Sequence, residues 1–311
     1  MNVSWAQEQF YIFKDSVAEG SWLTLSGFNY YASNRFHNEY LDKWIFGGHI
    51  TTEIKDKPLG KLGNLNALGG EFENGIEHFS ADIHPFKLEN WGLKLGFSDN
   101  HYLSSNIPSD LYRVAMYGNA DYLGDTLDFN FAHIQYQHYQ KISIGMFDKR
   151  NMSSISLSYV AGSRGVNARL ADSWMYNDAD TVQLTLQGAG YRTEDFSPYW
   201  AFNGSGFAFD LDYNFLFENK KGARQIINFK IKNLGMIFWN KGTYNYGLDS
   251  TVTYTGFDVQ DFLMNNQDTS GLSDFNILDT LGLVEAQGKR YDFLPPELVV
   301  QKLGDQASAA R

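Results

Sequence analysis

Two aspartates, Asp210 and Asp212, and two lysines with the same spacing, Lys230 and Lys232, are the charges whose placement bears most directly on chemistry. Paired carboxylates can hold a hard cation or share general acid and base work, yet a calcium-type ion takes about six or more oxygens. The stretch around them, GFAFDLDYNFLF, does not supply that set. Beyond the turn NKKGA, the segment QIINFKIKN puts Asn228, Lys230 and Lys232 at one parity. Facing residues of an antiparallel hairpin share parity, so Asp212 can face Lys230 and Asp210 can face Lys232, with Asn214 beside Asn228; a register slipped by two would instead pair Asp210 with Lys230, with similar chemistry. That arrangement reads as an electrostatic ladder.

Other candidates are weaker. His78, Asp82 and His84 share a strand parity in EHFSADIHP and would make half of a zinc site. A polar strand face explains them without metal. GSRG (162–165) and GSG (204–206) resemble phosphate or hydrolase loops, but neither joins an apolar strand to a helix as those motifs require, so both read as turns. The chain has no cysteine, which excludes disulfides, thiolate metal sites and a cysteine nucleophile. No catalytic residue, cofactor site or metal is therefore assigned. Thirty-six acidic against 25 basic residues, a formal net charge of -11, argue against broad nucleic-acid binding, which needs cationic surface.

The elements that carry these residues are period-2 segments. In GFAFDLDYNFLF, Phe207, Phe209, Leu211, Tyr213, Phe215 and Phe217 share one face, and Ala208, Asp210, Asp212 and Asn214 the other. The same alternation recurs in WLTLSGFNYY (22–31), KWIFGGHITTEI (43–54), WGLKLGF (91–97), TLDFNF (126–131), KISIGMF (141–147), SISLSYVAGS (154–163), VNARLADSWMY (166–176) and TVQLTLQGAGY (181–191), and continues to TVTYTGF (251–257). That is about a dozen strands of roughly 10 residues, the length of a membrane-spanning strand. Their second faces are rich in Gly, Ser, Thr, Asn and Gln, where a soluble sandwich would show Lys and Glu.

Aromatic residues make up 16% of the chain, and Trp22, Trp44, Trp91, Tyr191, Phe217 and Trp239 fall near strand ends, where an interfacial girdle would lie. No apolar run is long enough for a transmembrane helix. The fold expected is an all-β, antiparallel transmembrane β-barrel, with Phe207, Phe209, Leu211, Tyr213, Phe215 and Phe217 facing lipid and the aspartates and lysines facing a wet lumen. Short helical insertions are expected near 109–118, where Gly118 would stop a helix, and near 258–284. Residues 1–19 read as an N-terminal segment in which SWA before Gln7 resembles the end of a signal cleavage site; residues 20–311 read as the barrel domain.

The segments LYRVAMYGNADYLGDTLDFNFAHIQYQHY (111–139), IINFKIKNLGMIFWNKGTYNYGLDSTVTYTGFDVQDFL (226–263) and YDFLPPELVV (291–300) together resemble a family of Bacteroidota outer-membrane β-barrels of unknown function. More loosely they are similar to PorP/SprF-type barrels of type IX secretion and gliding. The resemblance spans roughly residues 90 to 300 and implies a non-enzymatic protein in the outer membrane of a Gram-negative bacterium. Its partners would be outer-membrane lipid and other envelope proteins, not nucleic acid. It implies a structural or anchoring role; a channel or uptake porin is the alternative. The ending QKLGDQASAAR lacks the alternation of the family's later strands, so the chain alone is expected not to close a barrel.

Overall fold

The computed structural model describes residues 17–194, 201–218, 224–254 and 284–304. Among them thirteen strands form one antiparallel sheet. They are β1 (Ser21–Ser33), β2 (Ala67–Ser80), β3 (Trp91–Asn106), β4 (Thr126–Asp128), β5 (His133–Asp148), β6 (Ser154–Asn177), β7 (Val182–Arg192), β8 (Gly204–Glu218), β9 (Arg224–Trp239), β10 (Tyr244–Tyr254), β11 (Val284–Gln287), β12 (Arg290–Phe293) and β13 (Glu297–Gly304). Three helices, α1 (Asn38–Phe46), α2 (Thr52–Asp56) and α3 (Ser109–Tyr117), sit in the connections.

The strands run β1-β2-β3-β5-β6, and there the sheet forks. One edge of β6 pairs with β8 over residues 154–162 and with β7 over residues 166–177. The first branch continues from β8 to β9, which carries β12 and β13; the second continues from β7 to β10 and β11. The fork coincides with a bulge. Opposite β5, the register jumps from His138↔Arg164 to Tyr139↔Gly162, leaving Ser163 as the extra residue. GSRG is therefore the branching point inside a long strand, not a turn, and GSG opens β8.

The sheet is curled. Lys232 on β9 reaches Glu73 on β2 at 3.5 Å although β3, β5, β6 and β8 lie between them in the sheet order. The face that meets itself across this curl carries Ser154, Ser156, Ser158, Ala208 and Asn214, all buried. It admits such close approach because one of its rows is Gly96, Ser143, Ser158, Ala208 and Gly235, all small. Among the described residues β1 is bonded only to β2, and β13 only to β9, so the sheet is not closed.

The segment 43–54 is not a strand: it holds the end of α1, an irregular link and the start of α2. Tyr40 and Leu41 on α1 and Ile54 on α2 bury with Phe36, Leu68 and Tyr112 in one cluster, a packing that overrides the local alternation. Gly47, at φ 84°, ends α1, and the Thr51 hydroxyl accepts from Ile54 N to start α2. The helix expected near 109–118 is α3, ended by Gly118 at φ 83°. The one expected at 258–284 lies outside the described residues up to Val284, which opens β11. No helix among the described residues is long and apolar enough to cross a membrane.

Candidate functional site

The two faces of this sheet are inverted relative to a water-soluble one. On the face away from the curl, one register row runs Leu25, Ile76, Phe97, Ile142, Tyr159, Phe207, Met236 and Phe293, through β1, β2, β3, β5, β6, β8, β9 and β12 in turn. Leu25 is 75% exposed, Ile142 62%, Phe207 53% and Phe293 66%. The next row, Leu95, Ile144, Leu157, Phe209 and Leu234, continues it, with Leu157 62% exposed. Soluble monomers rarely leave so extended an apolar surface in contact with solvent.

Of the six residues assigned to the apolar face of β8, Phe207, Tyr213 and Phe215 are exposed, and Phe209, Leu211 and Phe217 are half-buried among their neighbours. Their partners on β9 are Met236, Leu234, Ile231, Phe229, Ile227 and Gln225, so that face stays apolar across the hairpin except at its end.

The charged residues lie on the inner face but not all in the expected pairs. Asp212 faces Lys230, with Nζ 3.3 Å from the carboxylate, and Asn214 faces Asn228, joined at 2.8 Å. Asp210 and Lys232 are not a pair. A bulge on β9 sets Lys232 and Asn233 against the single residue Asp210, with Asn233 at φ 58°. Asp210 instead accepts from Asn233 N at 2.7 Å and from Lys141 of β5 at 3.3 Å, while Lys232 turns to Glu73. Lys141, 6% exposed, also donates to Asn233 Oδ1 at 2.6 Å. The ladder is a network linking β2, β5, β8 and β9.

Above this network the interior is filled. Tyr139, Val160, Tyr191, Ala208, Ile237, Trp239 and Leu294 form one buried cluster. The Trp239 indole donates from Nε1 to Asp292 at 2.7 Å, and the Tyr191 hydroxyl donates to the same carboxylate. Trp239 and Tyr191 thus point inward rather than forming part of a girdle. Trp22 packs between Phe79 and Phe147, stacked on the first at 5.3 Å.

A second polar group was not legible as a unit in the sequence. Asp99 is opposite Gln140, and His101 is opposite His138, on adjacent rows of the β3–β5 pair. The two imidazoles stack at 4.0 Å and 8°. His138 Nε2 lies 2.9 Å from Asp99 Oδ1, and His101 Nε2 lies 3.3 Å from Asp99 Oδ2. Equal residue-number sums, 99 with 140 and 101 with 138, were the available signal, and they need the register to be known. His78 lies on β2, and His84 in the loop after it meets the Trp91 carbonyl at 3.3 Å, so the half-site read from EHFSADIHP is not assembled.

A family model described as a family of unknown function, DUF5723, matches residues 22–301. The chain belongs to the DUF5723 family. The match starts in β1 and ends in β13, so it spans the forked sheet. Neither a curated protein nor a solved structure matches the chain.

Proposed function

We propose that this DUF5723 chain is an outer-membrane β-barrel protein with an occluded interior, acting as a structural or anchoring part of an envelope assembly. The observation that carries this reading is the inverted sheet: an apolar row, exposed at seven of its eight positions, crosses eight strands while Ser154, Ser156, Ser158, Asn214, Asn228 and Lys141 are buried behind it. In water that costs free energy on both faces, through unburied apolar surface and desolvated polar groups. In a bilayer the first cost disappears, because the apolar residues meet hydrocarbon. The dimensions agree. Phe207 to Phe217 spans about 34 Å along the strand, and a tilt of about 40° reduces that to a height of about 26 Å, close to the apolar band of outer-membrane barrels.

The filled interior favours anchoring over conduction. Trp239, Tyr139 and Tyr191 are each 1% exposed, so these large side chains pack together on the inner face rather than lining a wetted channel. The sequence resemblance to Bacteroidota outer-membrane barrels, and more loosely to PorP/SprF-type barrels, supports an envelope assembly as the setting and other envelope proteins as partners.

The test is fractionation followed by planar-bilayer recording of the purified protein. Recovery with outer membranes and no steady current are expected. Recovery as a soluble protein would overturn the membrane reading, and a steady open current would replace the anchoring role with that of an uptake porin.

A further inference from the structure

The Asp99, His101, His138 and Gln140 patch lies on the same face as the apolar belt, in the two rows beyond Phe97 and Ile142. It is nevertheless well covered: His138 is 0%, Gln140 6% and Asp99 9% exposed. Three of its polar atoms form a closed triangle. Gln140 Nε2 is 2.8 Å from Asp99 Oδ1 and 2.9 Å from His138 Nε2, which is itself 2.9 Å from Asp99 Oδ1.

Hydrogen atoms cannot satisfy that triangle while Asp99 is a carboxylate. A carboxylate oxygen only accepts, an amide nitrogen only donates, and an imidazole nitrogen does one or the other. If His138 Nε2 carries the proton and donates to Asp99, it confronts the Gln140 N–H. If it is bare, its lone pair confronts the Asp99 oxygen. Turning the Gln140 amide over, an equally valid assignment, sets its oxygen against Asp99 instead. With Asp99 ionised, every assignment leaves one contact between like groups.

A cation at the centre removes the conflict, because all the facing atoms can then present lone pairs. We propose that Asp99, His101, His138 and the amide oxygen of Gln140 form a site for a first-row divalent transition cation of the zinc type. Two imidazoles and a carboxylate suit such ions, and an amide oxygen completes four ligands. The Asp99, His101 and His138 ligand atoms lie within 4.8 Å of one another, and turning the half-buried His101 ring out of the stack lets both imidazole lone pairs converge on one ion at bonds of about 2.0–2.2 Å.

The groups behind the ligands are placed to orient them. His101 Nδ1 is 3.0 Å from the Tyr136 hydroxyl, and Ser163 Oγ, carried by the β6 bulge, is 2.7 Å from the Gln140 amide. With the amide turned over, Gln140 Nε2 donates to Ser163 while its oxygen faces the ion. Arg164, opposite His138 on β6, adds positive charge beside the patch, so the metal is expected to be exchangeable. The site is a property of the β3–β5 register and does not depend on what the apolar belt meets.

The experiment is a titration of the intact, detergent-solubilised chain with Co2+, followed by its visible absorption, and then displacement by Zn2+. One saturable equivalent with the absorption of a four- or five-coordinate nitrogen–oxygen site is expected, lost in His101→Gln and in His138→Gln. His78→Gln/His84→Gln should bind as the parent does and controls for adventitious histidines. Should buried His138→Gln not fold, the half-exposed His101→Gln decides alone. Absence of the band in the folded parent, or a band undiminished in folded His101→Gln, would overturn the proposal.

Discussion

The indole of Trp239 occupies the space that a side chain on Gly162 would need: a Cβ there would lie 2.6 Å from the ring. The same ring would be 2.7 Å from a Cβ on Gly165 and 2.8 Å from one on Gly204. These three glycines, at the fork and at the start of β8, form the seat of the inward-pointing tryptophan. Gly162→Ala should therefore cost about 1–3 kcal/mol, since the ring, buried and tied to Asp292, has nowhere to move. Unfolding of the refolded protein in urea, followed by loss of the compact electrophoretic form, measures this. Ala171→Gly, at an exposed place on the same strand, is the comparison and should cost less.

Asp210 and Asp212 look equivalent in sequence and are expected to behave differently. Asp210→Ala strands the buried Lys141 ammonium and leaves Asn233 N without its acceptor, a loss of about 3–5 kcal/mol. Asp212→Ala breaks a more solvated pair, with side chains 13% and 29% exposed, and should cost about 1 kcal/mol. Parallel urea titrations of the two variants would check the order. Equal costs would show that the bulge does not direct the charges.

That difference also marks how far sequence could go. Alternation gave the two faces of β8 and the facing of Asp212 and Lys230, because parity survives wherever strands are regular. The bulges at Ser163 and Asn233 are single-residue insertions with no local signature, and each one shifts the pairing of the strand past it. One moved Lys232 away from Asp210; the other turned GSRG from an apparent turn into a fork. Segment 43–54 alternates locally, yet Tyr40 and Leu41 on α1 and Ile54 on α2 bury in one cluster, and tertiary packing decided the outcome. The Asp99 and His101 patch needed β3 and β5 to be in register before it existed at all, with Asp99 and His138 lying 39 positions apart.

The helical region should respond to alkaline pH. Burial pushes the phenols of Tyr40, Tyr112 and Tyr117 above their ordinary value of 10.0, and for Tyr117 the neighbouring Asp56 adds to it. A raised folded-state value means that the folded form holds its proton longer. The stabilisation is thus fully present below about pH 10 and is lost as pH rises through the folded values. Tyrosinate absorption should lag behind that of the urea-unfolded chain above pH 10. Coincident titration curves would contradict the packing of Phe36, Tyr40 and Tyr112.

Leu157 separates water from hydrocarbon as the outer medium. At 62% exposure, Leu157→Arg would change stability by less than about 0.5 kcal/mol if water lay outside. Within a bilayer a midplane arginine costs about 2–4 kcal/mol. Unfolding of the vesicle-reconstituted variant is expected to show the larger figure, and a near-neutral substitution would argue for a solvated face.

The most direct measurement uses the absence of cysteine from the chain, which makes every introduced thiol unique. A polarity-sensitive fluorophore is attached at Leu157→Cys, Ile142→Cys or Phe207→Cys, one at a time, in protein reconstituted into vesicles. Each is then exposed to nitroxide-bearing lipid and, separately, to aqueous iodide. Blue-shifted emission quenched by the lipid and spared by iodide is the expected result at all three positions. Emission quenched by iodide and untouched by the nitroxide lipid would contradict the membrane reading.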